Sequence, residues 1–407
     1  MRISKSTWYQ ILFIICVIIP FLNIYELSFA TWLFTILITL KNNYSLEFFK
    51  YLLIFIVILI LATIVGFFFN YEWYYILRDI TYMLKPISGL LLGYQLFNDK
   101  IKSPYKFLLN AGIAIAVFHL TLVLYGIFVK NAKSVADIRY YGGYFNDFEI
   151  YTFILLVFQK ELGYQLTKKR KYIYFVILSF SFFFYLARTN FIQFIILFMA
   201  LKGLFVLNKK TITIFIGLII ITITGYAAVY YYNPVRNGKG VDEFLYKIKM
   251  APGEAFSTKI NRDDWKDFND NYRSYENIRT VQQLSYNKNL IFGEGIGSQV
   301  DLKQKVYLGD MKLRYISILH NGYMTVLLKT GLVGLIIYLL SISFFFKNNN
   351  YKKNSRLKYI HLFFVGTGVF LIMSNWVFMG FYNLLDTKSL FIGFLFAYKH
   401  SILKEHV

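Results

Sequence analysis

Residues 318–340 read ILHNGYMTVLLKTGLVGLIIYLL and form an apolar stretch of membrane-spanning length. A bilayer core about 30 Å thick is crossed by roughly 20 apolar residues in a helix, so this stretch predicts a membrane span. Its entrance is polar, because it begins with His320 and Asn321, and its interior carries Lys329. A charge at membrane depth costs at least about 2.5 kcal/mol and usually faces a cavity or a partner. The stretch therefore predicts a membrane fold with a candidate functional position at His320.

The composition of the whole chain extends this prediction. Of 407 residues, 57% are hydrophobic and 20% are aromatic, which excludes an ordinary soluble domain. We predict an all-α fold, a polytopic transmembrane helical bundle of about twelve spans. The predicted spans are 8–24, 28–41, 51–69, 74–96, 107–128, 146–160, 172–187, 189–206, 211–232, 318–346, 358–380 and 384–400. No small-residue cleavage site follows the first span, so a cleaved signal peptide is not expected.

The charge pattern predicts how these spans are oriented. The formal net charge is +22, and the basic residues are concentrated in short loops. Retention of Lys and Arg on the cytoplasmic side explains this pattern, so nucleic acid is not predicted as a partner. An inner N-terminus places the basic loops inside; they are 41–50, 100–106, 168–171, 209–210 and 347–358. The loop 130–145, the junction at Arg188 and the stretch 233–317 are then predicted to lie outside.

The chain accordingly divides into three parts. Residues 1–232 hold predicted transmembrane helices 1 to 9, residues 233–317 form one large external or periplasmic loop, and residues 318–407 hold helices 10 to 12. The loop carries 14 Lys and Arg against 11 Asp and Glu, which is the balance expected of an exported segment. Within it, the stretch 265–287 is predicted to be helical.

Six basic residues are candidates for a binding site, and most of them fall on or near the predicted outer face. Each has an ordinary structural explanation: an arginine beside an aspartate can form an ion pair, and an arginine at a helix end can reach the headgroups. As a set, with few acidic partners in the spans, they are typical of a site for an anion such as a diphosphate, because guanidinium binds phosphate oxygens in bidentate fashion. They are Arg78, Lys85, Arg139, Arg188, Arg273 and Arg279.

Histidine and cysteine narrow the chemistry further. His320 begins a span on the predicted outer side, and histidine is the side chain best suited to accept a proton near neutral pH, although a helix cap or an interface contact is an alternative role. His119 lies within a span and is predicted to be a packing residue. Cys16 is the only cysteine, which excludes a disulfide framework and a cysteine-based metal site.

Three further patterns bear on ligand binding. The histidines lack the spacing of metal ligands, so no metal site is predicted. The acidic run 263–270 is explained equally by a cation site and by a solvent-exposed acidic helix face. The segment IFGEGIGSQ (291–299) lacks the spacing and the lysine of a phosphate loop. Its glycines predict a tight turn or a close approach of backbones.

Five stretches resemble the O-antigen ligase and Wzy-type polysaccharide polymerase superfamily. HNGYMTVLLKTGLVGLIIYLL (320–340) resembles its His-Asn/Ser start of a late helix, and IFGEGIGS (291–298) resembles the turn that closes its long periplasmic loop. Arg273-x-x-Glu276 resembles the arginine-bearing helix of that loop. ARTNFIQFIIL (187–197) resembles a Ser-Arg-Thr span start with alanine in place of serine. RYYGGYFNDFEIY (139–151) resembles a weaker segment whose Pro-Asn is replaced here. The match covers about residues 135–340.

The resemblance implies a GT-C-like, metal-independent glycosyltransferase without a cofactor. Its donor and acceptor would be undecaprenyl-diphosphate-linked glycans, with membrane lipids, a chain-length regulator and a flippase as further partners. It would lie in the bacterial cytoplasmic (inner) membrane with the active site facing the periplasm or exterior. His320 would accept the proton of the acceptor hydroxyl, and Arg188 and Arg273 would hold the diphosphate, with inversion at the anomeric carbon. The residues implied to bind substrate around them are Arg279, Arg139, Arg78, Lys85 and Asn321.

Several functions share these features. A polymerase would join repeat units into O-antigen, capsular polysaccharide or exopolysaccharide, whereas a ligase would pass the glycan to lipid A core or another acceptor, and the motifs do not separate the two. A transporter or flippase would explain many spans with buried cations, but it predicts inverted repeats, and no matching halves are found. A non-catalytic scaffold would tolerate alanine at His320 and at the arginines.

Overall fold

The computed structural model describes most of the helical body and the second half of the long loop. The described residues are 4–22, 24–143, 146–185, 187–205, 209–235, 241–242, 245–246, 248–250, 257, 260, 268, 271–308, 311–347, 354–383 and 386–405. All structural statements that follow concern these residues.

Every predicted span contains a helix, and among the described residues two further helices lie between spans. The helices are α1 (Lys5–Ile18), α2 (Tyr25–Ile38), α3 (Leu46–Gly66), α4 (Trp73–Leu96), α5 (Pro104–Phe128), α6 (Val135–Gly142), α7 (Asp147–Val157), α8 (Lys168–Tyr185), α9 (Arg188–Leu201), α10 (Lys209–Tyr232), α11 (Tyr272–Tyr286), α12 (Gly322–Ser343), α13 (Ser355–Phe378) and α14 (Lys388–Lys404). Short 3₁₀ turns occupy Ile19–Leu22, Phe344–Phe346 and Gly380–Tyr382. The predicted helical, membrane-type fold is confirmed in this coarse form.

The number of membrane crossings differs from the number of helices. Within the described residues, five helical stretches are long and apolar enough to cross a bilayer: Lys5–Leu22, α3, α5, Gly322–Phe346 and α13. By contrast, α7 has 11 residues and α9 has 14, short of the roughly 20 that a crossing needs. The chain is thus a multi-pass membrane protein, but the predicted count of twelve spans is not confirmed.

Polar side chains fix where several of these helices begin. Asn146, Asn321 and Asn354 each accept hydrogen bonds from backbone N–H groups in the first turn of α7, α12 and α13, and Ser45 does the same for α3. An N-cap of this kind satisfies donors that have no partner within the helix. The apolar runs that follow each cap then continue as helices because they pack in a shared core.

The core of the bundle is built on α4 and α14, which approach each other backbone to backbone. A Cβ atom added at Gly93 would lie 2.0 Å from the carbonyl oxygen of Leu390, and one at Gly393 would lie 2.1 Å from that of Leu90. Glycine is the residue that permits such contact between membrane helices. Stacked rings fill the neighbouring space, as where Tyr151 and Phe391 lie with centroids 4.3 Å apart. These contacts join α4 and α7 to α14.

The end of the long loop forms a small separate core that includes a β-hairpin. Strands β1 (Val300–Leu308) and β2 (Met311–Ile316) pair antiparallel, with an irregularity in register between Asp301 and Val306. Their apolar faces pack with α11, and this packing includes Tyr275, whose hydroxyl donates to the carbonyl of Leu302. Helix α11 confirms the predicted helical segment 265–287 over Tyr272–Tyr286, whereas most of 265–270 lies outside the described residues. The hairpin departs from the all-α expectation.

The segment 290–298, here called the glycine turn, docks into a break in α12. Gly331 lies at φ 63° and ψ −163° inside α12, so helical hydrogen bonding is interrupted there. Backbone groups of the turn supply the missing partners. These bonds run from Glu294 N to Leu328 O (2.8 Å), from Gly295 N to Lys329 O (3.1 Å), from Leu332 N to Leu290 O (2.9 Å) and from Val333 N to Ile291 O (3.2 Å). Irregular backbone is stable in a membrane protein when it is buried in this way.

The glycines of the turn are required by both conformation and space. Gly293 and Gly295 have φ of 77°, a left-handed conformation that other residues rarely adopt. A Cβ at Gly295 would lie 2.1 Å from the backbone nitrogen of Gly66, and one at Gly293 would lie 2.6 Å from that of Gly331. The predicted close approach of backbones is confirmed, and it joins the loop to α3 and α12.

Candidate functional site

The best-defined polar contact at the entrance to α12 joins His320 to Glu276 of α11. The backbone N–H of His320 donates to Glu276 Oε2 at 3.0 Å, and its ring Nδ1 lies 3.0 and 3.1 Å from the two carboxylate oxygens. The Glu276 side chain is 1% exposed, whereas that of His320 is 39% exposed. The pair therefore has a buried acidic end and an imidazole end that is accessible from outside the fold.

The neighbours of His320 fix its place. Asn321 caps α12 by accepting from the backbone N–H groups of Tyr323 and Met324, at 2.9 and 3.2 Å. The ring of Tyr272 meets the imidazole edge to face, with centroids 5.8 Å apart. Burial and the nearby Glu276 carboxylate raise the pKa of the Tyr272 phenol well above its usual value, so a neutral ring packs there. Because Asn321 is the cap, the alternative that His320 is itself the helix cap does not apply.

The backbone of His320 also connects α12 to the other end of the candidate site. The N–H of Met379, just after α13, donates to the carbonyl of His320 at 3.1 Å. The sulfur of Met379 accepts from the hydroxyl of Tyr82 at 3.2 Å, and Tyr82 lies one turn beyond Arg78 on the same face of α4. Arg78 and His320 are thus brought to one end of the bundle.

The start of α9 and the end of α6 also lie at this end of the bundle. Ala187, which precedes Arg188 at the start of α9, forms a small cluster with Tyr185 against which Phe21 and Phe378, the last residue of α13, pack. Gly143 at the end of α6 also faces Phe21, so α6, which carries Arg139, lies beside this cluster. Arg188 is exposed and Arg139 is half-buried.

Helix α11 contributes two of the predicted arginines, and they have different surroundings. Arg273 is half-buried and lies three residues before Glu276, so the two occupy neighbouring positions on one helix face. Arg279 lies beyond them and donates from Nε to the carbonyl of Asp301 at 3.1 Å and from Nη1 to Gln282 at 2.7 Å. Arg279 therefore also holds the hairpin against α11.

Arg78 and Lys85 are seven residues apart on α4 but have different surroundings. The guanidinium of Arg78 lies 3.6 Å from Asp79 and 5.0 Å from the centre of the Tyr75 ring. Lys85 is 4% exposed, lies 5.6 Å from the Trp32 ring, and its Nζ has no hydrogen-bond partner among the described residues. Lys85 is about 10 Å deeper along the helix than Arg78. The structure therefore does not place Lys85 beside His320.

A buried ion pair links Asp79 to the glycine turn. Lys329 Nζ donates to Asp79 Oδ2 at 2.5 Å and to the carbonyl of Ser298 at 2.6 Å, and the backbone N–H of Gly297 donates to the same carboxylate oxygen at 2.7 Å. The Lys329 and Asp79 side chains are 2% and 1% exposed. The sequence was consistent with either a packing role or a cavity contact for Lys329. In the structure it is a packing residue that joins α4, α12 and the glycine turn.

A second buried charge cluster lies deeper in the bundle. Lys388 Nζ lies 2.7 Å from Asp147 Oδ2 and 2.6 Å from Asp386 Oδ1, and all three side chains are at most 2% exposed. Because Asp147 and Lys388 begin α7 and α14, the cluster joins the starts of two helices. Sequence reasoning assigned no role to these groups, since Asp147 and Lys388 are 241 positions apart in the chain.

The sequence-predicted residues thus separate into two sets. His320, Asn321, Arg78, Arg188 and Arg139 belong to elements that meet at one end of the bundle, and Arg273 lies beside Glu276 on α11. Lys85 lies deeper, and Arg279 contacts the hairpin. Glu276 was the principal omission, although its spacing of three from Arg273 was visible in the sequence.

Metal ligation has no support within the described residues. No group of three or more His, Cys, Asp and Glu side chains there is arranged to hold a metal ion. The aspartates of the acidic run 263–270 lie outside the described residues, so the two explanations given for that run stay open.

Comparison with known proteins bears on this geometry. The family model of O-antigen ligases matches residues 173–339, which begin inside α8 and end inside α12. The matched range includes Arg188, Arg273, Glu276, His320 and the glycine turn. No curated protein sequence matches the chain. The match agrees with the resemblance drawn from the motifs: residues 173–339 are similar to the O-antigen ligase family.

Proposed function

We propose that the chain is a membrane glycosyltransferase that polymerises undecaprenyl-diphosphate-linked oligosaccharide repeat units. The observation that carries this proposal is the accessible imidazole of His320, held by a buried carboxylate at the end of the bundle where segments with Arg78, Arg139 and Arg188 meet. The positive-inside rule assigns this end to the outer side of the cytoplasmic membrane. The product would be O-antigen, capsular polysaccharide or exopolysaccharide.

In the proposed reaction, an acceptor hydroxyl oxygen attacks the anomeric carbon of the donor in line with the bond to diphosphate. The new glycosidic bond forms as that bond breaks, and undecaprenyl diphosphate leaves with the electron pair. His320 takes the hydroxyl proton at Nε2, and configuration inverts at the anomeric carbon. Arg188 and Arg273 hold the diphosphate and neutralise the charge that develops on it.

The other predicted binding residues have supporting roles in this proposal. Arg139 and Arg78 extend the positive field at the same end of the bundle, and Arg279 acts by holding the hairpin on α11. Asn321 places His320 by capping α12. Lys85 is the residue least supported for diphosphate binding, because it lies deep in the bundle. The proposal needs no metal or cofactor.

A ligase is the second candidate, because the family whose model matches is described as O-antigen ligase. The chemistry would be the same, with the acceptor hydroxyl on lipid A core or another glycan instead of a second lipid-linked repeat unit. A chain-length regulator and a flippase would be partners of the polymerase in the cell.

The test uses purified full-length protein in detergent with a synthetic undecaprenyl-diphosphate repeat unit, and products are resolved on a gel. Oligomers formed without an added core acceptor would support the polymerase, whereas transfer only after a core acceptor is added would support the ligase. His320→Ala and Arg188→Ala are expected to lower the rate at least about 100-fold. His361→Ala and Arg170→Ala, which change residues outside the site, serve as matched controls. Full-length polymer from His320→Ala protein that inserts normally would refute the assignment.

A further inference from the structure

The contact between Glu276 and His320 has an asymmetry that bears on proton transfer. Two different groups of His320, the backbone N–H and the ring Nδ1, contact the Glu276 carboxylate at 3.0 to 3.1 Å. The backbone N–H can only donate a hydrogen bond, and an ionised carboxylate can only accept. The second ring nitrogen, Nε2, has no contact with Glu276.

We propose that Glu276 is the positioning residue that fixes His320 as the tautomer protonated at Nδ1, leaving the Nε2 lone pair open to substrate. This inference rests on the proposed function, in which Nε2 accepts the proton of the acceptor hydroxyl. An acceptor at Nδ1 requires that Nδ1 carry the hydrogen, so neutral His320 has its only free lone pair on Nε2. Nε2 is thus prepared as a base before substrate arrives.

The burial of the carboxylate strengthens this arrangement. Glu276 is 1% exposed, so water competes little for its oxygens, and it also lies on α11, which packs against the hairpin leading into His320. When Nε2 takes a proton, the ring becomes a cation next to this fixed anion. A neighbouring carboxylate that holds and stabilises an imidazolium in this way is a recurring device in acyl transfer, where it does not itself become protonated.

The geometry also predicts why an amide cannot replace the carboxylate. A glutamine at position 276 has one acceptor oxygen and one NH₂ group, whereas Glu276 offers two acceptor oxygens. The backbone N–H of His320 must keep an acceptor, so the glutamine oxygen is expected to face it. The NH₂ group then faces Nδ1, which must become an acceptor and shift the ring hydrogen to Nε2. Glu276→Gln is therefore expected to reverse the tautomer with little change of shape.

The experiment reads the tautomer and the activity separately. Full-length protein labelled with ¹⁵N-histidine is studied by NMR at pH 8, and the His320 signals are assigned by their loss in His320→Ala. Wild-type protein is expected to show protonated Nδ1 and unprotonated Nε2, and Glu276→Gln the reverse. In the oligomer assay, Glu276→Gln is expected to lower kcat by about 10² to 10⁴-fold with KM changed less than about threefold.

Controls distinguish positioning from folding. Residues 271–308 and 311–316, which hold α11, the glycine turn and the hairpin, are here called the loop cap. Glu294→Gln removes another buried carboxylate of the loop cap, one that contacts Gln283 and Asn287, and it is expected to leave the His320 tautomer unchanged. Glu276→Asp keeps both acceptor oxygens and is expected to keep the tautomer and recover part of kcat. If Glu276→Gln does not fold, the wild-type spectrum still decides, because protonated Nε2 at pH 8 would overturn the proposal.

The outcomes separate this inference from the proposed function. If His320→Ala is inactive but Glu276→Gln keeps both tautomer and kcat, Glu276 has no positioning role and the glycosyltransferase proposal stands. If Glu276→Gln reverses the tautomer without loss of kcat, a role for the tautomer in the reaction is refuted. If wild-type protein transfers no sugar, the proposed function fails, and with it the catalytic meaning of the contact.

Discussion

Replacing Lys329 by methionine should destabilise the protein through the charge that it leaves behind. The ammonium donates to Asp79 at 2.5 Å and to the Ser298 carbonyl at 2.6 Å, and both charged side chains are at most 2% exposed. Removing one partner of a buried ion pair costs about 3 to 5 kcal/mol, because the other charge stays buried without compensation. Asp79 would keep the N–H of Gly297 at 2.7 Å and the guanidinium of Arg78 at 3.6 Å. We therefore expect the lower end of that range, about 3 kcal/mol.

The assay is equilibrium unfolding in mixed detergent micelles, followed by circular dichroism, with limited proteolysis of the glycine turn as a local readout. Lys305→Met, at an exposed position of the hairpin, is the matched control and is expected to change stability by less than about 0.5 kcal/mol. The double variant Asp79→Asn with Lys329→Met removes both charges and should recover at least about 1.5 kcal/mol of the loss. A Lys329→Met protein as stable as the Lys305→Met control would refute the reasoning.

Two further substitutions test the loop cap. Gly295→Ala places a Cβ 2.1 Å from the Gly66 nitrogen at a residue with φ 77°, so it should expose the glycine turn to protease. The control Gly163→Ala, at φ 75° with no atom within 4 Å of the added Cβ, should show only the small cost of backbone strain. Arg314 donates to Asp301 at 2.9 and 3.0 Å and holds the pKa of that carboxyl well below its usual range. The contribution of this ion pair to the stability of the hairpin is present above about pH 4 and is lost only as the pH falls further. Amide exchange at pH 4 should therefore show a stable hairpin in the wild-type protein and a weakened one in Arg314→Gln. Equal exchange in the two proteins at pH 4 would contradict this.

Local patterns in the sequence predicted much of the helical body. Apolar runs of membrane length are properties of neighbouring residues, and the helices that they predict lie within a few residues of the predicted bounds. Helix α12 begins at Gly322 in the predicted span 318–346, and α13 begins at Ser355, three residues before the predicted span 358–380. The hairpin was missed although VDLKQKVYL and MKLRYI alternate between apolar and polar residues, which is the pattern of a half-buried strand. The composition of the whole chain predicted an all-α fold, and this alternation was not interpreted as strand.

The contacts of the candidate site depend on residues far apart in the chain. His320 and Arg188 were selected from position and residue type, but the partner of His320, Glu276, lies 44 positions away, and that of Lys329 lies 250 positions away. Such pairs are set by how helices pack, which one sequence does not reveal. The surroundings of Lys85 were likewise not visible in the sequence, because spacing on a helix gives the face but not the depth at which that face meets other helices.

The insertion of the glycine turn into α12 constrains how the protein can be assembled and exchanged. Residues 290–298 are synthesised before α12, yet four of the backbone hydrogen bonds of this segment are made to α12 and can form only once that helix is present. Docking of the loop cap must therefore follow membrane insertion of α12, so a chain truncated before Gly331 should leave the loop cap open to protease. A chimera that transplants the loop between related proteins must also carry the broken turn of α12 and the Gly66 end of α3, since these three segments share one set of hydrogen bonds and contacts.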